Sequence, residues 1–338
     1  MIKKIALTIT SAAVFGVCLN AADRINGAGA SFPAPVYFDW AYEYQKATGV
    51  EVNYQSIGSG GGIKQISART VDFGASDKPL KPKKLDRKGL YQFPAVIGSI
   101  VLVYNLPGVK DMELKLENKD VADIFLGKIK YWDDKQIKED NPQVKLPHKE
   151  IVVVHRSDGS GTTFNFSYYL ANVSDEWKNN VGIGKALDWP VGLGGKGNEG
   201  VSNLIKQTPY SIGYVEYAYK MRNKFSSAVI QTKSGKWVKP IEENFKAAAK
   251  YASWGPKNHF YQVLALQPGD NSYPIVAGTF ILLAREKADV NKKVTAFFNW
   301  AFKNGDEAAK KLGYIPLPED TKKMVREYWK ENNIAPSK

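Results

Sequence analysis

IVVVHRSDGSGTTFNF, residues 151–166, changes character twice within a few positions. Its first four residues are apolar and β-branched, which predicts a buried strand over 151–154. From Phe164 onward the pattern turns amphipathic and predicts a helix over 164–172. A Ser/Gly-rich loop joins the two. Strand, loop and helix in this order form the unit of an α/β layer. The same order aims backbone N–H groups and the positive end of a helix dipole at the loop, which suits an anion. Arg156, at the mouth of the loop, adds a full charge and a planar donor fork matched to carboxylate or phosphate. Ser160 and Thr162 would equally serve as ordinary helix caps, so one such loop does not decide between the two readings.

Two further loops are built alike. GAGASFPAP, 27–35, carries Ser31 and Phe32 ahead of a predicted helix, with Ser31 at the expected N-cap and prolines at the helix start. GSGGG, 58–62, carries Ser59 ahead of a short helix expected over 63–69. Capping alone does not call for so many glycines, whereas close approach of backbone to a ligand does. Two carboxylates sit nearby in sequence. Asp158 would either hold the Arg156 guanidinium or close an Asx turn. Asp77 follows a predicted strand over 71–75 and, on the residues alone, reads as a loop carboxylate. Beside an anion it makes sense only if that anion carries a proton to donate.

At its N-terminus the chain has Lys3 and Lys4, an apolar stretch over 5–19, then Ala21 and Ala22. This is the layout of a secretory signal peptide over 1–22, cleaved after Ala21 or Ala22. Cys18 is the only cysteine, so an exported product would hold no internal disulfide. Val17 precedes it where a lipidation signal calls for a small residue, so lipid anchoring through Cys18 is not expected. The rest, about 310 residues, is long for one core and favours two domains. Formal net charge is +13. The lysines are scattered, with the densest run over 78–88 interrupted by Pro79, Pro82 and Asp86, which reads as a solvated loop rather than a nucleic-acid arm.

Elsewhere, strands are expected over 50–56, 211–217 and 274–283, and one long buried strand or a strand pair over 93–105. Helices are expected over 34–48, 121–126, 132–137, 201–207, 241–254, 292–304 and 319–332. With no linker in sight, the chain should cross between domains in the long strands near Ile100 and Ile275.

The motifs GAGASFPAPVY (27–37), YQSIGSGGGIKQI (54–66), VDFGASD (71–77), FPAVIG (93–98), HRSDGSGTTF (155–164), WPVGLGGKGNEGV (189–201) and IGYVEYAY (212–219) together resemble the periplasmic phosphate-binding proteins of phosphate-specific ABC importers. The resemblance covers essentially all of the chain beyond the leader. It implies an α/β, two-domain hinged periplasmic-binding-protein fold of type II, with the ligand in the interdomain cleft. Lobe I would comprise 23–100 plus 274–338, and lobe II 101–273. It implies a non-enzymatic phosphate-binding receptor in the periplasm: a monomer without cofactor that meets an inner-membrane permease transiently and binds no nucleic acid. Carried over by motif, one lobe supplies Ser31, the N–H of Phe32, Ser59, and Asp77 as acceptor of the phosphate proton. The other supplies Arg156, Ser160, the N–H of Gly161, and Thr162, with Asp158 pairing Arg156. Ser31 stands where threonine is common in the family, and the hydroxyl is kept. The loop over 192–200 is not carried over as a ligand site, and Lys196 in it reads as structural. Phosphate can donate a proton to Asp77 where sulfate cannot, a difference able to discriminate by ~10⁴.

Other chemistries lack their residues. Asp72-Phe73-Gly74 spells a kinase triplet without its partners, and 192–197 ends Gly-Lys-Gly rather than as a P-loop. The only histidines, His148, His155 and His259, have no zinc-site spacing, and Ser160 lacks a nucleophile elbow. From the residues, an exported phosphatase, a receptor for sulfate or molybdate, and a surface adhesin remain as alternatives.

Overall fold

The β-branched runs become strands and the amphipathic stretches between them become helices, in a computed structural model that describes residues 24–336. The signal peptide expected over 1–22 and Cys18 lie outside the described residues. The strands are β1 (Arg24–Gly29), β2 (Glu51–Ser56), β3 (Phe73–Ser76), β4 (Leu90–Asn105), β5 (Lys115–Leu116), β6 (Val152–Arg156), β7 (Leu193–Gly195), β8 (Ser211–Glu216), β9 (Ser226–Ser227), β10 (Val229–Gln231), β11 (Trp237–Val238) and β12 (Val276–Ala284). The helices are α1 (Ala34–Thr48), α2 (Gly58–Ser67), α3 (Pro82–Lys88), α4 (Asn118–Phe125), α5 (Lys135–Asp140), α6 (Gly161–Val173), α7 (Asp175–Asn180), α8 (Gly197–Gln207), α9 (Tyr217–Asn223), α10 (Glu242–Ala249), α11 (Ala288–Asn304), α12 (Asp306–Lys311) and α13 (Glu319–Glu331).

Nine strands join in the order β2-β1-β3-β12-β4-β8-β6-β7, with β9 also on β4. The run around residues 93–105 is a single strand, β4, buried over nearly all of its 16 residues. Its first part, Leu90 to Ser99, pairs antiparallel with β12. Its second part, Ile100 to Asn105, pairs antiparallel with β8. Where it changes partner, the Ile100 N–H donates to the Ile275 carbonyl at 2.8 Å. The β4–β12 register slips between Thr279 and Phe280, opposite Pro94, where a residue without an N–H is tolerated.

On one side of β4, β1 runs parallel to β2 and β3. On the other, β6 runs parallel to β7 and β8. Loops leaving the carboxyl ends of β1, β3, β6 and β7 meet, the usual place for a ligand crevice in parallel sheets.

Several helix starts differ from expectation. The glycine run over 58–62 is the first turn of α2, not a loop before it. Likewise α6 begins at Gly161, so Gly161-Thr162-Thr163 are helical. Glycine's low helix propensity makes such turns read as loops, and tertiary packing overrides it here. Pro33, not Ser31, occupies the N-cap of α1, which releases the Ser31 hydroxyl for other work. The helix expected over 132–137 is α5, shifted because the Asp134 side chain accepts from the Gln136 N–H and sets the start there.

Candidate anion-binding site

Arg156 ends β6 and is 3% exposed. A buried guanidinium must be paired. Asp158 does this with a two-pronged grip: Nε to Oδ1 at 2.7 Å and Nη2 to Oδ2 at 2.6 Å. The Gly197 N–H donates to the same Asp158 Oδ1 at 3.0 Å, tying the β7–α8 turn to the pair. Burial works to raise the Asp158 carboxyl, but Arg156 outweighs it and holds the group below its usual value. The remaining guanidinium nitrogen, Nη1, donates to Thr162 Oγ1 at 3.3 Å.

Four hydroxyls lie around this charge: those of Ser31, Ser59 and Thr162 each accept two N–H bonds, and that of Ser160 accepts one. Ser31 Oγ accepts from the Asn198 backbone N–H at 3.0 Å and from Asn198 Nδ2 at 2.9 Å. Ser59 Oγ accepts from the N–H groups of Asp77 at 3.2 Å and Gly161 at 3.1 Å. Ser160 Oγ caps α6 through the Thr163 N–H at 2.9 Å. Thr162 Oγ1 takes Arg156 Nη1 and Asn198 Nδ2, both at 3.3 Å. A hydroxyl with filled lone pairs keeps one function, donating its proton. The cradle therefore offers donors, set at the positive end of α6.

Asp77 is the exception. It lies just past β3 and is 1% exposed. Oδ1 accepts from the Thr279 hydroxyl at 2.7 Å, and the Ser59 hydroxyl lies 3.4 Å from Oδ2. Burial pushes this carboxyl up to about 7, against the pull of Thr279, Arg156 and Ser59. Asn165 Nδ2 holds the Asp77 carbonyl at 2.8 Å and so fixes the loop.

The two faces touch. The Gly60 N–H donates to the Gly159 carbonyl at 2.6 Å, alongside the Gly161–Ser59 bond. A Cβ on Gly161 would lie 2.5 Å from Ser59 Oγ and 2.6 Å from Asp77 Oδ2. Gly58, at φ 81°, has a conformation that favours glycine and faces Asp158.

Of the residues singled out from sequence, Ser31, Ser59, Asp77, Arg156, Ser160 and Thr162 sit in this cluster, each at most 3% exposed. Gly161 is buried among them, and Asp158 pairs Arg156. The Phe32 ring is core, edge-on to Tyr314, whose hydroxyl donates to the Phe32 carbonyl at 2.6 Å. Two contributors are absent from the sequence reading. Asn198 lies in the first turn of α8, within the stretch 192–200 that the family resemblance does not mark as a ligand site, yet it touches both Ser31 and Thr162. Its side-chain Oδ1 accepts from the Glu216 N–H at 2.9 Å. The asparagine within GKGNEG was the available signal. Thr279 lies in an apolar strand 202 residues from Asp77, and no local pattern marks it. Among the described residues no group of three His, Cys, Asp or Glu side chains is placed to hold a metal.

A model of the PBP superfamily domain matches residues 19–304. The phosphate-binding protein PstS of Haemophilus influenzae is 52% identical over 311 residues, covering 91% of this chain and 93% of that protein. The chain belongs to the PstS-type phosphate-binding proteins. A second member of the family, from Pasteurella multocida, is also 52% identical, over 91% of this chain and 90% of its own length. Among solved structures, a high-affinity periplasmic phosphate-binding protein bound with phosphate superposes at a TM-score of 0.73. At 21% identity over 90% of this chain and 93% of that one, the likeness establishes the two-domain type II fold of the family.

Proposed function

We propose that this chain is the receptor that captures inorganic phosphate and hands it to an ABC permease for import. It carries no catalytic machinery for the task. The observation behind this reading is the cradle's polarity: four hydroxyls, three of them with both lone pairs filled by N–H donors, gather around a guanidinium held by Asp158, with one further carboxylate, Asp77, among them. A tetrahedral oxyanion satisfies the donors. Only one that keeps a proton satisfies Asp77 as well, because a bare oxygen there would leave two acceptors facing each other. Phosphate keeps a proton at neutral pH and sulfate does not.

In this reading Ser31, Phe32, Ser59 and Asp77 close from lobe I onto Arg156, Ser160, Gly161 and Thr162 of lobe II, with Asp158 and Asn198 orienting their partners. The lobes divide at residues 23–100 plus 274–338 and 101–273. Residues 1–22 direct export, and the protein works in the periplasm as a monomer that meets the inner-membrane permease transiently. Calorimetric titration of the purified protein tests the function. Phosphate binds one to one and arsenate follows it, while sulfate gives no heat. Equal binding of sulfate and phosphate, or turnover of an aryl phosphate, would refute it.

A further inference from the structure

A second cluster of positive charge lies outside the cradle, at the cleft edge, around a pocket of about 510 Å³. Lys78, Lys81, Lys83, Lys84 and Arg87 form one wall. None of them reaches a carboxylate, whereas the acid of α3, Asp86, is engaged by Arg285 at 2.7 Å. Lys185 feels the same charge: burial, then the charges of Lys78, Lys84 and Lys88, pull its ammonium down to about 8. Like charges gathered along one wall of a pocket oppose one another unless an anion joins them.

The other wall is apolar and aromatic, made by Phe164, Tyr168, Ile183, Tyr261 and Val263. Lys78 already lies over the Phe164 ring at 4.5 Å. One wall thus fits a polyanion and the other a flat apolar body, in a volume typical of small-molecule sites. We infer that this pocket is a second binding site, separate from the cradle, for a soluble phosphate ester with several charges and a ring, such as a nucleoside di- or triphosphate. The planar base would lie on Tyr168 and Tyr261, and the phosphoryl groups would bridge Lys81, Lys84 and Arg87. Because one wall comes from α3 and the residues just before it, and the other from α6, the turn after α7 and the segment 261–263, occupancy would also favour the closed clamp.

The probe is ATP, titrated into protein saturated with inorganic phosphate and, separately, into phosphate-free protein, at about 0.15 M salt. One ATP binds in both cases, roughly fivefold or more tighter than tripolyphosphate, which lacks the ring. The triple variant K81Q/K84Q/R87Q loses roughly tenfold or more in ATP affinity, while its phosphate affinity stays within about twofold. Four results would overturn the inference: no ATP binding, competition of ATP with phosphate, equal binding of tripolyphosphate, or an unaffected triple variant. Binding to phosphatidylglycerol vesicles with no soluble ester bound would also overturn it. The phosphate arm reads the cradle independently, so failure of the second site leaves the receptor reading untouched, and the reverse.

Discussion

Asp77 carries opposing demands: burial favours its protonated form, while its neighbours and the proposed ligand need an acceptor. This has a thermodynamic consequence. A carboxyl at about 7 in the folded chain, against 3.8 ordinarily, holds a proton that the unfolded chain has already released between those values. Its contribution to stability is whole below about pH 4 and is lost as pH rises through about 7, at most of order 4 kcal/mol. Denaturant unfolding of the ligand-free protein at pH 5 and pH 8 should show the loss. Asp77→Asn should lose less, with a residual slope from Glu216, whose carboxyl burial also pushes up. Asn198 gives a second prediction. Its amide occupies the lone pairs of Ser31 and Thr162, so Asn198→Asp turns donors toward itself and adds a charge. Phosphate affinity should fall roughly a hundredfold, about 3 kcal/mol, by calorimetry. A loss under threefold would remove Asn198 from the mechanism. Residues such as Arg156 and Ser160 were legible in sequence because charge and hydroxyls stand out in a glycine loop. Thr279 was not, because β12 reads as an apolar strand and only tertiary pairing brings it to Asp77.

At the scale of elements, α2 and α6 meet first turn to first turn; α2 opens on GSGGG and α6 on Gly161. Glycine disfavours helix by ~1 kcal/mol against alanine, so both starts read as loops in the sequence. What outweighs that cost is contact: Gly161 has Ser59 and Asp77 where a Cβ would go. Gly161→Ala therefore separates two effects. Alanine should leave the thermal midpoint of the ligand-free protein unchanged or slightly higher, since α6 gains helix propensity. It should cut phosphate affinity roughly a hundredfold by wedging the faces apart, read by the same titration. Full phosphate affinity in Gly161→Ala would show that these faces do not need to touch.

Across the whole molecule, β4 shares one half of its length with β12 and the other with β8, so it runs through both parts of the sheet. The apolar run around residues 93–105 announced the strand, but its partners are remote in sequence and the exchange of partners near Ile100 follows only from pairing. Bonds such as Gly60 to Gly159 join the faces across the cleft and would break if it opened. In solution scattering, phosphate should reduce the radius of gyration of the phosphate-free protein, and sulfate should leave it unchanged. The central claim is that a donor-rich cradle selects its anion through Asp77, the carboxylate in it that is not paired with Arg156. Its most direct test is calorimetric titration of wild type and Asp77→Asn with phosphate and with sulfate. The account predicts that wild type binds phosphate alone, and that Asp77→Asn, whose amide can donate, binds sulfate as well. A variant that still ignores sulfate while binding phosphate would contradict it.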